Sequence, residues 1–194
     1  MTKLLTREQI EHNVKVFREG VKPLERDASF DYCFNYFQRF REERRLNDLI
    51  SPERLQESCI QLGFFLASWG MYRGSAFLLR KSAKTLEPII GLIANQPTGF
   101  WEIDVNSYTK DNNIQSLLDF AGRIRSLPEY EKASDVLVTK ILLGVFANVP
   151  AFDTYFGKGF GYRKFEQKSL DAVAGFYRDN SQIIDGYCAT THYD

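Results

Sequence analysis

The residues best suited to chemistry are a lysine and an aspartate on either side of one turn. Lys140 stands inside the apolar run "TKILLGVFA", and Asp153 stands between phenylalanines in "VPAFDTYFGKGF". A lysine in such a run either snorkels its ammonium to water or turns it toward a partner such as Asp153. Asp153 has two readings as well. After Pro150 its carboxylate can cap the turn that begins at Thr154, or it can stand poised against Lys140 or Arg73 in a cleft. Structural support is the expected main role, with the site reading as its alternative.

Two further stretches carry chemistry-bearing side chains. In "SWGMYRGS" (68–75), Trp69 and Tyr72 flank Gly70, and Arg73 closes an apolar helix. Arg73 can meet an anion there while Trp69 or Tyr72 stacks on a planar ligand. The same residues also suit plain helix packing, with Arg73 on a carboxylate or a helix C-terminus. In "GKGFGYRK" (157–164), three glycines with Lys158, Arg163 and Lys164 suit either a phosphate cradle at a helix N-terminus or a flexible turn. A Walker ending, a strand–GxGxxG–helix context and a GxSxG elbow are all missing. The histidines, His12 and His192, stand near the chain ends, where a preorganised triad is not expected.

The segment "TKILLGVFANVPAFDTYFGKGF" resembles the helix-hairpin-helix DNA glycosylases over 22 of 194 residues. In that family a lysine-bearing apolar helix ends in a proline turn, and an aspartate precedes the next helix. The resemblance implies the glycosylase fold, with Asp153 at the position of the catalytic aspartate and Lys140 as its companion. It also implies a flipped nucleobase held in a groove near Asp153, stacked on Trp69 or Tyr72. The family's glycine hairpin is reduced to "SLPEY" (126–130), and no cysteine cluster follows. The stretch "LASWGMYRGSAFLL" also resembles a bacterial family of helical proteins, which implies no activity.

Composition narrows the classes. With 25 basic and 25 acidic residues the net charge is zero, so no global field draws in nucleic acid or an anionic membrane. Nucleic acid stays open as a partner without being favoured; an unidentified protein or small ligand is expected first. Cys33, Cys59 and Cys188 are far apart, which predicts free thiols in a reducing compartment and no zinc site. No cofactor is expected. The start lacks a signal-peptide core, and no apolar run reaches membrane-spanning length. A soluble cytoplasmic protein follows as the expectation.

The elements that must position these residues read as helices. Sixteen Phe and ten Tyr in 194 residues predict a bulky aromatic core in one all-α domain, residues 1–194. Thr6 and Gln9 form a capping box, Ser29 suits a second cap, and Ser51-Pro52 opens a helix that is apolar nearly all round. Gly63 and Gly70 on that helix would admit a close neighbour. Short helices are expected in 76–84 and 86–94, an irregular or extended segment in 100–113, and helices in 114–124, 134–147 and 165–179. A turn at 152–156 and a short final segment complete an irregular bundle of seven to nine helices. The expected function is a helical domain that binds a partner or small ligand, with the glycosylase-like reading as the alternative.

Overall fold

The capping signals place the helices. Thr6 Oγ1 accepts the Gln9 N–H at 3.3 Å, and the Gln9 side chain returns to the Thr6 N–H at 3.0 Å. This capping box opens α1 (Arg7–Gly20). The computed structural model describes residues 5–190, which contain nine α-helices, five short 3₁₀ turns and no strand. After α1 come α2 (Ser29–Glu42), α3 (Leu55–Ser68), α4 (Glu87–Ala94), α5 (Thr98–Trp101), α6 (Asn113–Arg125), α7 (Asp135–Phe146), α8 (Thr154–Phe160) and α9 (Gln167–Cys188).

Helix α7 is the centre of the molecule. Nine of its twelve residues are buried, Lys140 among them. Helices α2 and α3 pack on it and on each other. The approach of α3 is set by Gly144, where an added Cβ would stand 2.6 Å from Phe65 Cδ1. Only a glycine leaves room for that ring. Gln38 fixes α2 by donating from Nε2 to the Val145 carbonyl at 3.0 Å. At the end of α7, Ala147 takes a left-handed conformation (φ 52°) and Pro150 follows in the irregular return. Residues 148–152 run back along α7, where the Phe152 N–H donates to Thr139 Oγ1 at 2.9 Å. This reversal brings Asp153 level with Lys140.

The core is aromatic, as the composition predicts. Phe146 packs against Phe100, Trp101 and Phe120, with ring centroids 4.5–5.6 Å apart. One hydrophobic cluster runs from Cys33 to Ala174.

Several expectations need correction. Ser51 does not cap α3: residues 52–54 form a turn, and α3 begins at Leu55 with Arg54 as its uncapped start. Ser29 is the first residue of α2, because a 3₁₀ turn (Arg26–Ala28) leads straight into it. Helix α3 is not buried all round, since the apolar Ile60 and Phe64 are 50% and 63% exposed. Residues 77–86 form two 3₁₀ turns rather than a helix. The segment after α4 is irregular and turn-rich without being extended. Helix α9 absorbs the final segment into one element of 22 residues. Gly70 lies beyond the end of α3, so it admits no neighbouring helix.

The packing at Gly144 gives a stability test. Gly144→Ala drives a methyl into the Phe65 ring and should cost about 1–3 kcal/mol. Gly63→Ala meets the tip of Leu86 at 3.3 Å and the Tyr72 hydroxyl at 3.8 Å, and should be neutral or stabilising by up to about 1 kcal/mol through helix propensity. Urea unfolding of both variants checks the contrast; equal losses would contradict it.

Candidate functional site

A helix leaves its last carbonyls without partners and carries partial negative charge at that end. The α3 terminus meets this condition at Trp69, which follows Ser68 and leaves helical geometry (ψ 18°). The Lys140 ammonium satisfies it, donating from Nζ to the Trp69 carbonyl at 2.5 Å. The opposite need exists at α8, whose first N–H groups require an acceptor. Asp153 Oδ1 accepts the N–H groups of Tyr155 and Phe156 at 2.9 and 3.1 Å. Its other oxygen, Oδ2, lies 3.8 Å from Lys140 Nζ. One ion pair therefore joins a helix C-terminus to a helix N-terminus, each charge sitting at the end whose dipole favours it.

The pair is unequal in exposure. The Lys140 side chain is 7% exposed and that of Asp153 is 22%. Burial holds the Lys140 ammonium below the ordinary lysine value of 10.5. Asp153 opposes this, while the positive charges of Arg73 and Arg26 add to it. The Lys140 side chain does not snorkel to water; it reaches across to α3 and α8.

Arg73 completes the cluster. Gly70 adopts φ 83°, and an added Cβ would stand 2.7 Å from Arg73 Nε and 2.8 Å from Nη2. The left-handed backbone favours a glycine here, and the guanidinium lies over the space its missing side chain leaves. Arg73 is exposed and makes no ion pair among the described residues. Arg26, by contrast, pairs with Asp27 at 3.4 Å.

The other sequence candidates divide. Trp69 belongs to the cluster through its backbone, but its ring packs on Phe65 (5.4 Å) and lies below Lys140 (5.9 Å). Its Nε1 is buried without a hydrogen-bond partner. Packing is thus its visible role. Tyr72 turns toward Gly63 on the other side, its hydroxyl 3.8 Å from where a Cβ would stand, and burial raises its pKa. Lys158 and Arg163 are exposed on and after α8, and neither pairs with Asp153 among the described residues. The Arg163 side chain instead folds against Gly157, its Cγ 3.1 Å from an added Cβ.

The glycines of "GKGFGYRK" form no phosphate loop. Gly157 and Gly159 are inside α8, and Gly161 ends it in left-handed geometry (φ 83°). Both neighbouring helix N-termini carry their own caps: Asp153 on α8, and Glu166 with Ser169 on α9. At α8 the Asp153 carboxylate already stands where a phosphate would bind.

Three contributors escaped the sequence reading. Thr139 anchors the return segment, Arg26 adds charge near Lys140, and Asp135 ties α7 to its surroundings. Asp135 meets Arg125 Nη2 at 2.5 Å and accepts the Phe165 N–H at 2.9 Å. Position one after the Ser134 cap was the available signal for Asp135; Arg26 offered none. Among the described residues no group of three or more His, Cys, Asp or Glu side chains is placed to hold a metal. His12 lies in α1 and His192 lies outside the described residues. No protein-family model, curated protein or solved structure matches the chain.

Two tests address the pair. Asp153→Ala removes both the α8 cap and the counter-charge of Lys140 and should cost about 2 kcal/mol; Asp153→Asn keeps a capping oxygen and should cost about 1 kcal/mol. Equal losses in urea unfolding would contradict the dual role. The second test is the pH profile. The folded pKa of Lys140 lies below its unfolded value near 10.5, so between the two the unfolded chain holds the extra proton. Stability then rises with pH across that window. The wild type should gain on Lys140→Met as pH climbs toward 10.5, and a constant difference between the two would contradict the depressed pKa.

Proposed function

We propose that the chain is a helical binding domain that takes an anionic group of a small ligand or partner at the junction of α3, α7 and α8. The single observation carrying this reading is the Arg73 guanidinium. It is folded over Gly70, its charge lowers the Lys140 pKa, and it has no counter-charge among the described residues. A positioned, exposed guanidinium is suited to a carboxylate or phosphate, which it can meet with two parallel hydrogen bonds. Lys140 adds positive potential from below, while its own bonds to Trp69 and Asp153 hold the floor of the junction.

The glycosylase-like reading rests on a different observation, the 3.8 Å approach of Lys140 to Asp153. It requires an Asp153 carboxylate free to face a nucleobase. Oδ1 already accepts two backbone N–H groups, and the zero net charge provides few cations for phosphates. The binding reading is therefore preferred.

Adenosine monophosphate and benzoate serve as phosphate and carboxylate probes. The expected result is a rise in the thermal midpoint with at least one of them, lost in Arg73→Gln while the unliganded midpoint stays within about 1 °C of wild type, as for an exposed side chain. A ligand-induced rise that survives Arg73→Gln would place binding elsewhere. With random duplex DNA at physiological salt, no appreciable binding is expected; a tight, steeply salt-dependent shift would favour the glycosylase-like reading.

A further inference from the structure

Helix α1 is weakly seated on the rest of the molecule. Of its fourteen residues, Ile10 alone is buried. Val16 and Phe17 are 53% and 63% exposed, so much of its apolar surface stays in water. The helix is shaped mainly by its own groups: the Thr6–Gln9 capping box and two exposed ion pairs, Arg7–Glu11 and Lys15–Glu19, each one turn apart. Such local bonds hold an isolated helix of this length only marginally in water.

What fastens α1 is Arg18, in its last turn. The final turn of α9 carries partial negative charge, which favours a cation. Arg18 Nη2 donates to the Tyr187 carbonyl there at 2.8 Å, and both terminal nitrogens stand 3.5 Å from Thr190 Oγ1. The guanidinium also lies over the Tyr187 ring, 5.1 Å from its centroid. The joint behind α1 is open to solvent. Residues 22–26 are exposed, Leu24 at 99%, and the backbone bonds of Val21 and Glu25 run to near neighbours, the Phe17 and Lys22 carbonyls. Burial resumes at Ala28 and Ser29. A lightly buried helix, a charged fastening at one end and a solvated joint together describe a part that can open alone.

We propose that α1 is a hinged strap, opening about residues 21–25 while α2–α9 stay folded, and closing when Arg18 sets on the last turn of α9. Closure buries Ile10 and covers the end of α9. Opening bares both, and α1 loses its helix because nothing outside it then supports the turns.

Hydrogen exchange of the full chain, read by mass spectrometry at neutral pH, tests the strap. The α1 amides are expected to exchange as one group, on the order of a hundredfold faster than those of α7. Arg18→Gln keeps a good helix former and removes the fastening. It is expected to speed the α1 group about tenfold, to speed the amides of 185–190 with it, and to leave α7 unchanged. Lys15→Gln weakens α1 as a helix without touching α9, so it should speed α1 by no more than about threefold and leave 185–190 as they were. Equal protection of α1 and α7 would overturn the proposal, since α1 would then open only with the whole fold. Unchanged α1 exchange in Arg18→Gln, or faster α1 exchange with 185–190 unaltered, would overturn it as well, since Arg18 would not be what fastens α1 to α9.

Discussion

The fold around the junction depends on one buried cation. Lys140 leaves the most buried helix of the molecule and reaches the free carbonyl at the end of α3, with the Asp153 carboxylate close by. An ammonium in such a place costs desolvation energy unless its hydrogen bonds and counter-charge are supplied. Both are supplied by helix ends. The α3 terminus offers a carbonyl with the negative end of a dipole behind it, and the α8 start fixes Asp153 through two backbone N–H groups. Removing Lys140 would leave one helix end unsatisfied and one carboxylate without its cation. The reversal that brings Asp153 there depends in turn on Ala147, Pro150 and the Thr139 hydroxyl, so the three segments are positioned as one unit.

The same arrangement explains why the cluster carries surplus positive charge. Lys140 is balanced by Asp153, but Arg73 makes no ion pair among the described residues, and its guanidinium lies over Gly70. The proposed anion site lives at this link, where backbone conformation sets side-chain position and side-chain position sets charge.

Much of the fold was legible because its signals are local. The Thr6–Gln9 box, the Ser134 cap and the apolar period of 134–147 act within one or two turns, and the structure places α1 and α7 accordingly. Asp153 read as a cap for the same reason, and its carboxylate does cap α8. Failures came where the competing term is tertiary. Ser51-Pro52 has a helix-start pattern, yet the chain makes a turn there and starts α3 at Leu55. The glycines of 157–161 look like a loop on propensity, but the Asp153 cap and the stacking of Phe156 on Phe160 (5.2 Å) carry a short helix through them. Gly144 was passed over because a glycine's closest neighbour is invisible without the fold.

The central claim is that Lys140 and Asp153 are energetically coupled through the helix ends they join. A double-mutant cycle with Lys140→Met, Asp153→Asn and the double variant measures this directly by urea unfolding at neutral pH. The account predicts a favourable coupling of about 1 kcal/mol or more, because each single change leaves the other charge unpaired at a largely buried position. Additive losses, with coupling near zero, would mean that the two charges serve their helix ends independently and that the junction is not a unit.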